Sequence, residues 1–349
     1  MLTVLDFEKP IFELEKKITE LKNLSTSGDL DLDSEVRKLE TRLSHVKKET
    51  YTNLSAWQRV QIARHPKRPY TLDYIQMIFS DFIELHGDRT FADDKALVGG
   101  FAKLDGRTVL VMGHQKGRDA KENIMRNFGS AHPEGYRKAL RLMRMAEKFN
   151  IPIVVFVDTP GAYPGVGAEE RGQAYTIAVN IRDMARVQVP IVVTVIGEGG
   201  SGGALGIGVG DRVLVLENAY YSVISPEGCA AILWKDRTKA PDAAAALRLT
   251  AKDLLELKLI DEVVKEPLGG AHQNHEEIAE TLKNAVKKHL KDLEQIPGQS
   301  LIGLRYEKFR CMGVYETSQA VHKALLPAEG GSASGGKAKR SREKKVSSR

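Results

Sequence analysis

Residues 151–167 read IPIVVFVDTPGAYPGVG and residues 190–204 read PIVVTVIGEGGSGGA, and these two stretches decide the fold. Each begins with a short, continuous apolar run, which is typical of a strand buried on both faces of a parallel sheet. A helix predicted from Ala168 to about Val187 connects the two strands. Because such crossovers are right-handed, the glycine-rich ends of both stretches are expected at the same edge of one sheet.

The segments on either side continue this alternation of strands and helices, which predicts an α/β fold with a largely parallel sheet covered on both faces. Predicted strands cover 96–104, 108–113, 212–217 and 220–225, a predicted helix covers 133–149, and the chain after residue 225 is mainly helical to about residue 324.

The first 50 residues are predicted to form a helical hairpin, with Ser34 as the N-cap of the second helix. Apolar residues recur at helical spacing in two runs, Ile11-Leu14-Ile18-Leu21 and Val36-Leu39-Leu43-Val46. A further helical stretch is predicted from Tyr70 to Leu85. We therefore divide the chain into an N-terminal helical region (1–90), an α/β domain (91–325) and a basic tail (326–349). The tail is predicted to be disordered because it is rich in Gly, Ser and Lys and has almost nothing to bury.

The net charge of +6 is concentrated in the tail, because residues 327–349 carry seven basic and two acidic side chains. Nucleic-acid binding through the tail stays open as an alternative function. Cys229 and Cys311 form no metal-binding or disulfide pattern. No apolar run is long enough to span a membrane, and Asp6 and Glu8 stand where a signal peptide would be basic. We expect a cytoplasmic chain without a metal site.

The two glycine-rich segments form the candidate site. They follow the carboxyl ends of neighbouring strands, where open α/β sheets bind their ligands. Glycine lets the backbone approach a ligand, and a helix that begins near Gly202 adds free amides and the positive end of its dipole. The pattern favours an anion or oxyanion site, and the alternative is that the glycines only permit tight turns and close packing.

Two other motifs match the second segment in part. Gly197, Gly199 and Gly202 have the spacing of a dinucleotide-binding turn, and Glu217 stands about 20 residues further on. That motif stands in mid-chain, however, and leaves the first glycine-rich segment unexplained. Ser201 lies in a weak match to a nucleophile elbow, since glycine stands on both sides of it. A Walker A loop is excluded because no Gly-Lys-Ser/Thr follows.

Charged side chains near the two segments are open to two interpretations. Glu169, Glu170 and Arg171 begin the helix after the first segment, where capping is the ordinary role of acids. Glu198 faces either the site or solvent. The basic cluster formed by His114–Arg118, Lys121 and Arg126 either binds an anionic ligand or belongs to a solvated loop.

Five motifs in this chain resemble those of the alpha-subunit family of bacterial acetyl-CoA carboxylase carboxyltransferases. They are HQKGRDAKENIMRNFG, PEGYRKALRLM, DTPGAYPGVGAEERGQ, GEGGSGGALGIGVGD and YSVISPEGCAAILWKD. The resemblance extends from about Leu5 to about Tyr315, and the residues beyond about Glu316 extend past the usual end of the family.

The resemblance implies a crotonase-like fold of stacked β-β-α units, so that 91–325 would be the carboxyltransferase domain. It implies transfer of a carboxyl group from carboxybiotin, held on a biotin carboxyl carrier protein that biotin carboxylase serves, to acetyl-CoA, which gives malonyl-CoA for fatty acid synthesis. It also implies an α₂β₂ assembly with a beta subunit of related fold. That beta subunit is expected to carry the zinc ribbon and the oxyanion hole for the acyl-CoA.

The resemblance also assigns the site residues. It makes Gly202 and Gly203 backbone amide donors to the ureido oxygen of biotin, and we expect bulky residues at either position to displace the backbone and abolish transfer while assembly survives. The residues expected to line the pocket are Gly161, Ala162, Tyr163, Pro164, Gly165, Gly199, Gly200 and Ser201.

Two further enzyme classes stay open as alternatives. One is a crotonase-type hydratase or isomerase that uses Glu169, Glu170 or Glu198 and acts without a partner. The other is a subunit of another biotin-dependent acyl-CoA carboxylase or decarboxylase.

Overall fold

The computed structural model describes residues 4–27 and 32–313 of the chain. The predicted tail at 326–349 therefore lies outside the described residues. The helices are α1 (Lys9–Ser27), α2 (Asp33–Thr52), α3 (Ala56–Ala63), α4 (Thr71–Ile78), α5 (Ala120–Met125), α6 (Pro133–Lys148), α7 (Val166–Glu170), α8 (Gln173–Met184), α9 (Ser201–Leu205), α10 (Pro226–Trp234), α11 (Ala240–Leu247), α12 (Ala251–Glu256), α13 (His275–Leu293) and α14 (Gly298–Arg310). The strands are β1 (Ser80–Glu84), β2 (Leu97–Leu104), β3 (Arg107–His114), β4 (Ile153–Thr159), β5 (Ile191–Gly200), β6 (Arg212–Leu216), β7 (Tyr220–Ser222) and β8 (Glu262–Val264).

The strands of the described residues form one mixed sheet in the order β1-β2-β3-β4-β5-β6-β8, and β7 pairs with the end of β5. The first three strands are antiparallel, while the strands from β3 onward run parallel to their neighbours. This arrangement confirms the predicted α/β class and the parallel pairing of β4 with β5.

The core lies around β4 and β5, and every residue of both strands is buried. Their Val and Ile side chains suit a strand that is covered on both faces. Helix α6 covers the sheet with an apolar face that includes Tyr136, Met143 and Ala146, all of which are fully buried. Phe149, which the helical spacing places on the same face, lies beyond the last turn as the C-cap and is 61% exposed.

The N-terminal hairpin was predicted correctly in its two helices. Ile18 of α1 packs against Val36 and Leu39 of α2 in a small apolar cluster. The N-cap prediction was wrong, because α2 begins at Asp33 with Leu32 as its N-cap, so that Ser34 lies inside the first turn.

The helix predicted from Tyr70 to Leu85 is wrong in its second half. Helix α4 ends at Ile78, Phe79 adopts an extended conformation, and β1 pairs antiparallel with β2. The strand forms because β2 offers hydrogen-bonding partners far away in sequence, which local spacing does not reveal. The boundary at residue 90 stays a prediction, and β1 joins the sheet across it.

The crossover between β4 and β5 contains two helices instead of one. Helix α7 ends at Glu170, and α8 begins at Gln173 after Gly172, whose φ of 81° breaks the helix. The predicted strand 220–225 is also shorter, because β7 ends at Ser222 and Ser225 is the N-cap of α10. The pattern did not indicate α3 or β8.

Candidate active site

The two glycine-rich segments meet at a cleft of about 410 Å³ at one edge of the sheet. Strands β4 and β5 are parallel neighbours, and Thr159 at the end of β4 lies opposite Gly199 near the end of β5. The expectation that both segments share an edge is therefore confirmed. The cleft is lined by Pro160, Gly161, Ala162, Glu169, Gln173, Ala174, Ile177, Ser201, Gly202, Val223, Ile224 and Ser225.

The predicted pocket residues divide into two groups. Gly161, Ala162, Ser201 and Gly202 line the cleft. The others support the cleft from behind or beside it and are not among the lining residues, namely Tyr163, Pro164, Gly165, Gly199, Gly200 and Gly203.

The second segment turns sharply from strand to helix at Ser201, whose φ of 52° is unusual for a residue other than glycine. Helix α9 begins there, so the amides of Gly202 and Gly203 have no acceptor within the helix. Among the described residues, no other group accepts a hydrogen bond from these two amides. Two unbonded amides thus stand at the start of a helix beside the cleft.

The two segments pack against each other through their backbones. A Cβ atom at Gly203 would lie 2.9 Å from Cα of Gly161 and closer still to the amide nitrogen of Ala162. A Cβ atom at Gly200 would lie 2.8 Å from the carbonyl oxygen of Thr159 and closer still to Pro160. A side chain at either position therefore forces the two segments apart.

Gly202 differs from the glycines on either side of the turn. A Cβ atom there would have only Ile177 near it, at 3.8 Å. A small side chain at 202 therefore has space and need not displace the backbone, while the expectation for bulky residues at this position stays a prediction. The first effect of a larger side chain would be to fill the cleft.

The first segment is held by its own side chains and by α8. The Thr159 hydroxyl donates to the carbonyl of Gly161 at 2.8 Å and lies 3.1 Å from the amide nitrogen of the same residue, where it accepts. The side-chain amide of Gln173 donates to the carbonyl of Tyr163 at 3.0 Å, and the Tyr163 ring packs on His132. These contacts fix the segment as it leaves β4.

Directly behind the segments lies a buried network of charges. The Lys116 ammonium group is 2.7 Å from a carboxylate oxygen of Asp158 and 2.7 Å from one of Glu198. Arg64 and the Tyr220 hydroxyl donate to the other oxygen of Glu198 at 2.6 and 2.7 Å. Asp158 lies near the end of β4, and Glu198 lies near the end of β5, just before the turn at Ser201. Lys116 therefore joins the ends of the two strands that carry the glycine-rich segments.

The network also fixes the ionisation of its members. Burial disfavours the charged form of Glu198, but Lys116 and Arg64 outweigh burial and hold its pKa at about 2. Burial likewise lowers the pKa of Lys116, but Asp158 and Glu198 outweigh it and raise that pKa above the usual range. Glu198 is therefore an ionised structural carboxylate that faces neither the cleft nor solvent.

Three cations of the basic cluster after β3 have protein partners. Lys116 belongs to the buried network, and Arg118 pairs with Asp73 while its guanidinium stacks on Tyr70 at 3.9 Å. Arg126 pairs with Glu122 and donates to the carbonyl of Lys95. An anionic ligand would have to compete with these contacts for Lys116, Arg118 and Arg126, while Lys121 is exposed.

Of the two acids after the first segment, Glu170 is not among the residues that line the cleft. Glu169 lines the cleft. Arg171 is the C-cap of α7 and pairs with the buried Glu134, so its role is structural.

The dinucleotide-binding interpretation fails, because Gly197 and Gly199 lie within β5 and not in a turn.

Several residues that line the cleft were not predicted from the sequence. Gln173 and Ile177 come from α8, while Val223, Ile224 and Ser225 come from the connection between β7 and α10. The Ser-Pro-Glu pattern at 225–227 is a helix-start signal that the prediction of a strand to residue 225 did not use. No local pattern indicated that this connection reaches the cleft.

Within residues 4–27 and 32–313, no cluster of His, Cys, Asp and Glu side chains has the arrangement of a metal site. No helix in the same residues is long and apolar enough to cross a membrane.

Two solved structures share the fold of this chain. A Pseudomonas malonate decarboxylase hetero-tetramer in complex with coenzyme A matches with a TM-score of 0.55 and 17% identity over 67% of this chain and 91% of that one. The transcarboxylase 12S structure with methylmalonyl-coenzyme A matches with a TM-score of 0.50 and 23% identity over 64% of this chain and 42% of that one. The likeness concerns the fold alone and confirms the expected crotonase-like architecture.

Relatives of known name are much closer in sequence. The acetyl-coenzyme A carboxylase carboxyl transferase subunit alpha of Geobacter metallireducens is 62% identical over 308 residues, 88% of this chain and 96% of that protein. The protein of the same name from Thermus thermophilus is 58% identical over 311 residues, 89% of this chain and 98% of that protein. The sequence family described as acetyl co-enzyme A carboxylase carboxyltransferase-like matches residues 4–313. On these grounds the chain belongs to the family of acetyl-CoA carboxylase carboxyltransferase alpha subunits.

Proposed function

We propose that this chain acts in the carboxyltransferase of acetyl-CoA carboxylase, as its alpha subunit, and transfers a carboxyl group from carboxybiotin to acetyl-CoA to give malonyl-CoA. The observation that carries the proposal is the identity of 62% and 58% with alpha subunits over nearly their whole length. At this level of identity the loops and the surfaces of a protein are retained as well as its fold.

The cleft suits the reaction. When the carboxyl group leaves biotin, negative charge develops on the ureido oxygen of the ring. The unbonded amides of Gly202 and Gly203 at the start of α9 are donors that need no reorganisation to meet such a charge. We therefore assign these two amides to the ureido oxygen and regard Gly161, Ala162 and Ser201 as the walls of the biotin pocket.

The remaining predicted residues have a supporting role in this proposal. Gly200 and Gly203 allow the two segments to touch. The backbone of Tyr163 is held by Gln173, and Pro164 and Gly165 continue the same turn toward α7. Gly199 packs on the Tyr221 ring, where a Cβ atom would lie 2.8 Å from the ring carbon Cδ2. A backbone amide that is held toward the developing charge and kept from water, as proposed for Gly202 and Gly203, is typically worth about 10²–10³ in rate.

The proposal includes the partners that the resemblance implies. They are a beta subunit with a zinc ribbon in an α₂β₂ assembly, the biotin carboxyl carrier protein that presents carboxybiotin, and biotin carboxylase. We assign the binding of acetyl-CoA to the beta subunit, and a cytoplasmic location belongs to the same proposal.

The test is co-expression with a zinc-ribbon beta subunit, followed by an assay of malonyl-CoA formation from acetyl-CoA with carboxylated carrier protein as the carboxyl donor. The expected result is malonyl-CoA from the assembly and none from either chain alone. Turnover of an enoyl-CoA by the isolated chain would favour a hydratase instead. Decarboxylation of malonyl-CoA without carboxyl transfer would favour a decarboxylase subunit.

A further inference from the structure

The carbonyl group of Gly203 has no backbone hydrogen-bond donor at the end of α9 among the described residues. The amide of Gly206 donates to the carbonyl of Gly202 at 2.9 Å, but the next amide, that of Ile207, donates to Ala204 at 3.3 Å. The helix therefore tightens before any backbone amide of the described residues reaches the Gly203 carbonyl. Instead, the Tyr136 hydroxyl of α6 donates to it at 3.2 Å.

Tyr136 also forms the surface on which α9 rests. Its ring is fully buried, and a Cβ atom at Gly206 would lie 2.6 Å from its Cε1 atom. The Asn180 side chain of α8 donates to the carbonyl of Tyr136 and to that of Gly206, each at 2.9 Å. Tyr136 thus contacts α9 at its middle residue, Gly203, through the hydroxyl and at its C-cap, Gly206, through the ring.

We infer that Tyr136 is a positioning residue for carboxyl transfer, because its hydroxyl holds the peptide unit between Gly203 and Ala204 and thereby anchors the short turn whose preceding amides are those of Gly202 and Gly203. This inference rests on the proposed function. The helix has only five residues, and its glycines supply no side chains that would hold the turn in place. The hydrogen bond from Tyr136 therefore fixes a segment with little rigidity of its own.

The chain provides a matched control in Tyr74 of α4. Its ring is also fully buried, but its hydroxyl has no hydrogen-bond partner among the described residues. Tyr136→Phe and Tyr74→Phe each delete one buried oxygen atom and keep the ring. Only Tyr136→Phe deletes a contact to the second glycine-rich segment.

The experiment compares both variants with the wild-type chain in the assembly with the beta subunit. We expect Tyr136→Phe to lower kcat for malonyl-CoA formation by about tenfold, a part of what the loss of one donor costs, with little change in KM for acetyl-CoA. Tyr74→Phe should keep the kcat of the wild type. Equal kcat values in all three proteins, or an equal loss in both variants, would overturn the inference and leave the proposed function standing.

A second measurement does not depend on activity. Amide hydrogen exchange in a peptide that covers residues 199–206 should become faster in Tyr136→Phe and stay unchanged in Tyr74→Phe. Unchanged exchange in Tyr136→Phe would also overturn the inference. If the wild-type assembly forms no malonyl-CoA, the proposed function fails, and faster exchange confined to Tyr136→Phe would still support the anchoring of the turn.

Discussion

Gly203 packs directly on the backbone of Ala162, at the point where the two glycine-rich segments touch. A Cβ atom at Gly203 would be too close to the amide nitrogen of Ala162 for any neighbouring side-chain movement to relieve. The absence of a side chain at this position therefore keeps the amides of one segment at a fixed place beside the other.

Substitution of Gly203 is expected to abolish transfer without loss of assembly. Gly203→Val should lower malonyl-CoA formation by at least about 100-fold, because the backbone must move away from Ala162 and its amide moves with it. Gly202→Ala is the matched variant, and it should retain more activity because its Cβ has open space. Near-normal turnover by Gly203→Val in the proposed assembly with the beta subunit would count against the site.

Removal of the ammonium group that joins the two strand ends is expected to destabilise the fold. Lys116→Met leaves Asp158 and Glu198 as buried carboxylates without their shared cation, which costs about 3–5 kcal/mol. The exposed Lys121→Met should change the free energy of unfolding by less than about 0.5 kcal/mol. Urea unfolding of both variants and the wild type measures these changes in the free energy of unfolding. Equal effects of the two substitutions would contradict the structural role of Lys116.

His114 is expected to make the protein less stable as the pH falls below neutrality. Burial and Lys116 lower the pKa of this histidine to about 3, against a weaker opposing effect of the Gly203 carbonyl. Between about pH 6.5 and 3 the unfolded chain therefore binds a proton that the folded chain does not, and stability falls as the pH falls.

His114→Leu should flatten this dependence by up to about 1.4 kcal/mol per pH unit. Neither ring nitrogen has a partner at full hydrogen-bond geometry among the described residues, and leucine removes only the weaker effect of the nearby Gly203 carbonyl. The measurement is the free energy of unfolding at several pH values between 4.5 and 7. An unchanged slope would show that His114 is not held neutral.

The N-terminal region is expected to divide at the end of α2. A chain that begins at residue 54 loses the hairpin, whose apolar cluster joins α1 mainly to α2, and should still unfold cooperatively. A chain that begins at residue 91 also loses β1 and the buried Tyr74 and Ile75 of α4, and should not fold. Thermal unfolding followed by near-ultraviolet circular dichroism separates the two. Cooperative unfolding of the shorter chain would instead place the boundary at residue 90.

The sequence predicted those parts of the fold whose cause is local. The apolar runs of β4 and β5 and the spacing in α6 are properties of neighbouring residues, and both predictions were confirmed. β1 was predicted as a helix, because its pairing with β2 is a contact between residues about 20 positions apart. Gly172 broke the crossover helix, although apolar spacing continued on both sides of it.

In the candidate site, too, the features with a local cause were predicted and those that depend on contacts between distant residues were not. The glycines at 161 and 202 indicated the cleft, because strand ends and glycine-rich turns are visible in the sequence. Glu198 and Lys116 were open to two interpretations, since only the folded chain brings them within 2.7 Å of each other. Tyr136 was not among the predicted site residues, because no local signal connects its hydroxyl with Gly203, 67 residues further along the chain.

The most direct test of the account is a structure of the assembly with biotin or biocytin bound. The predicted result is a ureido oxygen within about 2.7–3.2 Å of the amide nitrogens of Gly202 and Gly203, with the ring against Gly161 and Ala162. A biotin ring bound elsewhere, or those two amides bonded to protein groups while the ring is in place, would contradict the central claim.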